Sequence, residues 1–435
     1  MARTKIIVLD DDPTGSQTVH SCLLVTRWDV ATLKEALADS APLFFVLTNT
    51  RGVSAERAAS ITCEVCRNLK SALAGEDVNP VFVSRSDSTL RGHYPVETDV
   101  MAEELGPFDA HFLTPAFFEG GRFTRASVHY LRSEGKEIPV HETEFARDSV
   151  FGYRHSFLPD YVEEKTGGRI KAVAVQRFQL DDIRRGVYER LMALQGNACV
   201  AVDAENQDDL NRFAADLLKA AAAGKRFLFR SAASLITSLA GLPPQPVRAE
   251  EMATYAHSPA GAVVVGSHVP KTTSQLKELL ASPGVVPVEV DVNRLPEEHA
   301  ALLRAVLDTA EAAHRSGKTP VVFTSRTERV FPDQATRLRF GEEVSGFLMD
   351  VVRGLPATLG FLVSKGGITS NDVLSSGLAL RTARLLGQIL PGVSVVRCPK
   401  DHPRYPDMPV VIFPGNVGDN RALATVVERL TGSAK

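Results

Sequence analysis

No charge of one sign dominates this chain: 49 Lys and Arg against 52 Asp and Glu leave a formal net charge of -3 over 435 residues. Without a basic field, nucleic acid and anionic membranes are not favoured partners. Cysteine is scarce as well. Cys22, Cys63, Cys66, Cys199 and Cys398 are odd in number and scattered, which suits reduced thiols in the cytoplasm better than a disulfide framework. Long apolar runs are missing too. The "IIVL" run near the N-terminus is too short for a signal-peptide core or a membrane span, so a cytoplasmic protein is expected. There is no internal repeat, no H-x-x-x-H pair and no second cysteine pair beside the C-x-x-C of Cys63 and Cys66. That pair lies within an apparent helix, where i,i+3 spacing serves packing rather than metal binding. Neither G-x-G-x-x-G nor G-x-x-x-x-G-K-[ST] occurs, so neither a standard dinucleotide fingerprint nor a P-loop is supported.

What is present describes an ordinary globular chain, since 44% hydrophobic and 23% charged residues argue against disorder. The length calls for more than one core. Short apolar runs alternate with amphipathic stretches, predicting an α/β fold with mostly parallel sheets. Strands are expected at "KIIVLD", "PLFFVLTN", "PVFVSRS", "AHFLTPAF", "IKAVAVQ", "ACVAVDA" and "RFLFRSA", with helices over 55–73, 181–194 and 208–223. Pro243, Pro244 and Pro246 then interrupt the pattern. It resumes with "GAVVVGSH", "VVPVEVDV", "TPVVFTS", "LGFLVSKGG", "VSVVRCP" and "PVVIFPGN", and with helices over 273–281, 297–316, 342–354 and 371–390. Two domains are expected, 1–245 and 261–435, joined by a linker over 246–260. Residues 120–165 are the least regular segment. Ligands of open α/β sheets bind beyond the carboxyl ends of strands, and the polar clusters follow the apolar strands in both halves. Two ligands meeting in an interdomain cleft are therefore expected.

In the second half, "LVSKGGITSNDV" carries a strand into a Gly-Gly turn at Gly366 and Gly367. Small residues there let backbone N–H groups approach a phosphate, and a helix starting near Thr369 would aim its positive end at it. Thr369, Ser370 and Asn371 are candidate caps. "PGNVGDN", with Gly415 and Asn416, and "GSH", with Ser267, repeat the arrangement. A single such turn is ordinary, but three in one domain point to a nucleotide. In the first half, "SRSDSTLRGHYPVE" supplies Arg85 and Arg91 for a carboxylate or phosphate, and Asp87, Ser88 and Thr89 for hydroxyls. The competing reading is a polar loop in which Ser88 or Thr89 caps the next helix. The opening "KIIVLDDDPTGSQ" also admits two readings. Asp10, Asp12 and Thr14 fit the D-x-D-x-T pattern of haloacid-dehalogenase-like phosphatases, with Asp10 as nucleophile and Asp12 as acid-base; alternatively the aspartates bind a polyol. His20 and His93 adjoin polar clusters and are equally compatible with structural roles.

Taken in order, "DDDPTG", "SDSTLRG", "TPAFFEGGR", the "GS" turn, "GGIT" and "PGNVG" resemble the four-carbon acid sugar kinase family. The resemblance covers essentially the whole chain. It implies a sugar-acid-binding N-terminal domain, an ATP-binding C-terminal domain and transfer of the γ-phosphoryl group to a hydroxyl of threonate, erythronate or an oxo-tetronate. The family's DD-x-TG falls on Asp11, Asp12, Thr14 and Gly15, and its DSTLRG on Asp87 through Gly92. Nucleotide contacts would fall on Ser267, on Gly366, Gly367, Ile368 and Thr369, and on Gly415 with Asn416. The chain departs from the family pattern at Pro13, Arg85 and Ser86, which makes a branched acid such as 3-oxo-isoapionate a rival substrate. The expected roles are Asp12 and Asp87 in catalysis, with Asp11, Thr14, Arg85, Ser88, Thr89 and Arg91 in substrate binding. ATP and Mg²⁺ are the expected cofactors, with no metal ligands named, and a homodimer is compatible. The remaining alternatives are the phosphatase and a non-catalytic sugar-acid or nucleotide sensor.

Overall fold

A computed structural model describes residues 3–133, 135–326, 331 and 333–432. The chain divides into two compact units, Met1–Pro243 and Pro244–Lys435. Both are α/β.

The first unit contains β1 (Arg3–Asp10), β2 (Leu23–Val25), β3 (Leu43–Leu47), β4 (Val78–Arg85), β5 (Ala110–Thr114), β6 (Arg122–Arg125), β7 (Val128–Ser133), β8 (Lys136–Pro139), β9 (Gln176–Phe178), β10 (Ala198–Val202) and β11 (Phe227–Ser231). Eight of these form one sheet in the order β2-β3-β1-β4-β11-β5-β10-β9, and its pairings are parallel. Their nearly continuous apolar sequences follow from burial on both faces. Register brings Asp10 level with Leu47 and Arg85, so polar residues after three neighbouring strands emerge along one edge. The other three strands, β6, β7 and β8, form an antiparallel sheet within the stretch expected to be irregular.

The helix Ala55–Leu73 is capped by Ser54, whose side chain accepts from the Arg57 amide, and buries Ala58, Ile61, Val65, Cys66 and Leu69 along one stripe. Cys66 therefore belongs to the packing face, while Cys63 donates to Glu104. The helix expected over 181–194 is two short ones, Leu180–Arg185 and Tyr188–Ala193. Gly186 adopts φ 100 between them, and the Val187 amide donates to Asp216 at 2.6 Å rather than continuing the helix. Of "IKAVAVQ", Ala172–Ala174 form a 3₁₀ turn, and only Gln176 belongs to a strand.

The second unit contains β12 (Ala262–Val265), β13 (Val285–Val290), β14 (Thr319–Thr324), β15 (Leu362–Lys365), β16 (Thr382–Leu390), β17 (Val393–Arg397) and β18 (Pro409–Phe413). Their order is β13-β14-β12-β15-β18-β17-β16. The first five run parallel; β17 pairs antiparallel with both β18 and β16. The helix expected over 371–390 is thus corrected. Gly367–Asp372 is helical, Val373–Gly377 is a π turn, and 382–390 is a strand. A hairpin through Pro391 and Gly392, the latter at φ 77, pairs this leucine-rich stretch with β17, so tertiary pairing overrides its helix propensity. The helix expected over 342–354 begins earlier and spans Gln334–Gly354. Residues 249–255, within the expected linker, form a 3₁₀ helix. Among the described residues, no helix is long and apolar enough to cross a membrane.

The first core is knit by Phe112, which is fully buried. Its ring lies 5.3–5.4 Å from those of Phe213, Phe227 and Phe229. Phe112→Ala should lower unfolding stability by about 3–5 kcal/mol, read as a fall in the urea midpoint; an unchanged midpoint would show that the cluster does not hold this unit together.

Candidate functional site

Three consecutive carboxylates end β1 or follow it, and two guanidinium groups hold them. Arg51, from the turn after β3, grips both oxygens of Asp11 and places Nη1 3.1 Å from Asp12 Oδ2. Its own amide donates to the Asp11 carbonyl at 3.2 Å. Arg85, at the end of β4, lies 3.1 Å from Asp10 and 3.8 Å from Asp11. Thr14 turns the loop back by donating its amide to Asp12 Oδ1 at 2.8 Å and its hydroxyl to the same atom. Gly15 is required there, because any Cβ would collide with both Asp10 oxygens and with Arg85.

The loop after β4 brings the second motif. Asp87 accepts from Thr89 and from Arg91, the latter at 2.8 Å. Arg91 also faces Asp148 at 3.6 Å. Ser86 donates to Asp11 at 2.6 Å and accepts from Arg230 at 2.7 Å. Arg230, at the end of β11, pairs with Glu97, whose other oxygen accepts from Thr50. Neither Ser88 nor Thr89 caps the following helix, which starts at Val96 after Pro95. Instead, the carbonyls of Ser88, Thr89 and Leu90 accept in turn from His129 at 2.8 Å, Tyr153 at 2.6 Å and Tyr161 at 2.8 Å. Leu90 sits at φ 66 within this run.

The electrostatics divide the aspartates. Burial alone would raise Asp87, but Arg51, Arg91 and hydrogen bonds from Arg91 and Thr89 hold it well below the usual carboxylate range. Burial likewise opposes ionisation of Asp12, and Arg51, Arg85 and Thr14 outweigh it and lower the pKa. Asp10 goes the other way. Its burial, reinforced by the neighbouring Asp11 and Asp12, overcomes Arg85 and pushes it up to about 7. Its Oδ2 has no hydrogen-bond partner among the described residues. Completely buried and packed against Gly15, Asp10 offers no face to an incoming phosphoryl group, which counts against the phosphatase reading. His93 donates to the carbonyls of Thr50 or Val53, and His20 contacts Ser21 and the Pro243 carbonyl, so both are held structurally.

In the second unit, a cavity of about 450 Å³ opens beyond the carboxyl ends of β12, β14 and β15, and also takes in Gly415 after β18. Ser267, Gly366, Gly367, Ile368, Thr369 and Gly415 line it, with Val344 and Leu348 on an apolar side; the exposed Asn416 is not in the lining. The short helix starts at Gly367, not near Thr369, and Gly366 at φ 120 precedes it. Its backbone turn replaces the side-chain caps expected at Thr369, Ser370 and Asn371. The turns are packed closely enough that a Cβ at Gly266 would strike Thr369 Oγ1. Beneath them, Lys365 is fully buried, 3.9 Å from the Phe413 ring centroid, and donates to the Pro414 and Gly415 carbonyls. Burial, with help from Lys271, lowers it to about 7.

Sequence reasoning missed Arg51, Glu97, Arg230 and Lys365. Arg51 does follow a strand end and Arg230 is the penultimate residue of β11, and that position was the available signal. Among the described residues, no group of three or more His, Cys, Asp or Glu is arranged to hold a metal ion. The cavity lining supplies the hydroxyls of Ser267, Ser325 and Thr369.

Two family models match the chain: a sugar-binding N-terminal domain over residues 6–239 and a nucleotide-binding C-terminal domain over 262–423. A D-erythronate kinase of Heliobacterium modesticaldum is 26% identical over 222 residues, 48% of this chain and 47% of the relative. A D-threonate kinase of Bordetella bronchiseptica is 29% identical over 160 residues, 35% and 37% of the two chains. The matched stretches thus span less than half of either relative. A crystal structure of a Salmonella typhimurium protein shares the fold with TM-score 0.71 at 19% identity, over 99% of this chain and 100% of that one. A Haemophilus influenzae protein does so with TM-score 0.65 at 18% identity, over 98% and 100%.

The raised Asp10 makes a pH prediction. An unfolded aspartate titrates near about 4, so the protonated form stabilises the fold fully below that value, and the contribution is lost as pH rises through about 7. Asp10→Asn cannot ionise. Its melting temperature relative to the parent should therefore climb between about pH 4 and about pH 8; a constant difference would show that Asp10 is ionised throughout.

Proposed function

The chain belongs to the four-carbon acid sugar kinase family, and from that premise we propose that it transfers the γ-phosphoryl group of ATP to a hydroxyl of a small sugar acid. The observation that carries the reading is the pairing of two different sites in one chain. An aspartate-guanidinium cluster lies in the part matched as sugar-binding, and a glycine-lined cavity lies in the part matched as nucleotide-binding. A D-erythronate or D-threonate type acid is the acceptor class favoured by the named relatives. A branched or 3-oxo acid is kept as a second acceptor because the chain departs from the family pattern at Arg85 and Ser86, which bond Asp10 and Asp11 behind the loops that would contact the substrate.

Phosphoryl transfer asks mainly for position and charge neutralisation. Asp12 and Asp87, both held ionised at neutral pH, would accept hydrogen bonds from the acceptor's hydroxyls. Asp87 is so stabilised as a carboxylate that it would orient the attacking hydroxyl, receiving its proton only as the new bond to phosphorus forms. Arg91 would face the acid group. Asp11, locked by Arg51 and Ser86, would fix the loop that carries Asp12. In the second unit, the turns at Gly266, Gly366 and Gly415 would present backbone to the phosphates, and the apolar side around Leu348 would receive the base. Mg²⁺ entering with the nucleotide would be held by phosphate oxygens and water, with Ser267 and Thr369 as protein hydroxyls. When bound, it would supply neutralisation of phosphate charge.

The decisive assay is sugar-acid-dependent ADP formation by the purified chain. Asp87→Asn should cut turnover by about 10²–10⁴-fold while leaving ATP affinity near normal; unimpaired turnover would remove Asp87 from the chemistry. Gly366→Val, placed at φ 120 against Ser267, should weaken ATP binding by at least about tenfold with acid binding retained. Equal ATP affinity would move the phosphate site elsewhere.

A further inference from the structure

Beside the first cluster lies a cation without a carboxylate of its own. Arg122 opens β6, at the end of the "TPAFFEGGR" stretch. Its Nη1 donates to the Gly120 carbonyl at 2.6 Å, and a side chain at Gly120 would collide with that same nitrogen. Its Nε is buried and has no hydrogen-bond partner among the described residues. Arg91 and Arg122 both lie over the ring of Phe145, 5.0 and 6.0 Å from its centroid. The two differ in how their charge is answered. Arg91 has Asp87 at 2.8 Å and Asp148 at 3.6 Å, whereas Arg122 forms no ion pair among the described residues. Burial pushes Arg122 down from its ordinary value; Arg91 adds to the shift, and Asp87 and Glu144 oppose it without offsetting it. Holding a partly buried guanidinium with no carboxylate in direct contact is unfavourable, and a carboxylate is the anion that its planar fork fits.

We infer that Arg122 is a specificity-determining residue that binds the carboxylate of the acceptor, with Arg91 as its companion and Phe145 spacing the two guanidinium groups. The site would thereby select an acid over the corresponding neutral polyol. Arg85 is excluded from this task by its burial against Asp10. The inference rests on the sugar-acid kinase reading.

Isothermal titration of the full-length chain with D-erythronate, D-threonate and their 3-oxo counterparts, and separately with ATP, tests it. Arg122→Gln should lose about 10- to 100-fold in affinity for the acid that the parent binds, as expected for removal of a charge-assisted contact, and should keep its ATP affinity. Arg122→Lys, which keeps the charge without the fork, should fall between the two and decides the question if the glutamine variant does not fold. Acid affinity within about twofold of the parent in either folded variant overturns the role of Arg122 alone. A parent that binds ATP but no acid of the panel overturns the acceptor class and this inference together.

Discussion

Three adjacent carboxylates at one strand end repel one another, and the first unit is organised around the guanidinium of Arg51 that makes their company tolerable. It holds Asp11 through both oxygens, reaches Asp12, and extends its field to Asp87. One cation thus couples the loop after β1 to the loop after β4. Arg51 can do this because the turn after β3, with Asn49 at φ 52, is tied to β1 through the Asp10 and Asp11 carbonyls. The ion pair and the backbone pairing reinforce each other. Asp10 is the exception: completely buried and next to two further carboxylates, it is pushed up to about 7 although Arg85 lies 3.1 Å away.

The second unit solves a different problem, the close approach of backbone to a ligand. The ends of neighbouring parallel strands converge on one cavity, and small residues keep its rim open. Support from below comes from Lys365, whose amine bonds the carbonyls of the neighbouring turn at Pro414 and Gly415. Thr272 holds the Gly415 carbonyl at 3.0 Å from another side and contacts Ser267 at 3.1 Å. The rim of the cavity is therefore braced by side chains that do not themselves line it.

Much of this was legible in the amino-acid sequence, and the failures have physical causes. Parallel strands buried on both faces announce themselves as apolar runs, which is why β1, β3, β5, β12 and β18 were readable. Local hydrophobicity says nothing about antiparallel partners, so β16 passed for a helix and the small β6-β7-β8 sheet passed for an irregular loop. Motif glycines were easier still, because Gly15 and Gly366 mark places where a Cβ is excluded by neighbours or by φ. Salt-bridge partners were harder. Arg51 and Arg230 lie 40 or more positions from the residues they serve, Asp11 and Glu97, and no spacing rule connects them. A lysine directly before a Gly-Gly turn looks solvent-facing in sequence, and only the packing of Phe413 over it reveals a buried amine.

The three carbonyls of Ser88, Thr89 and Leu90 accept from His129, Tyr153 and Tyr161, all of which belong to the irregular-looking stretch over 120–165 and not to the motif. This stretch acts as a mould into which the acidic and basic groups of the loop are cast. Its hydroxyls and imidazole are neutral, since His129 is pushed down to about 4 chiefly by burial, so they shape the loop without altering its charge. Two chains could share every letter of DSTLRG and yet aim it differently if their moulds differ. Divergence in substrate choice within such a fold therefore has a route that leaves the reactive residues untouched, and it runs through the aromatic groups behind them.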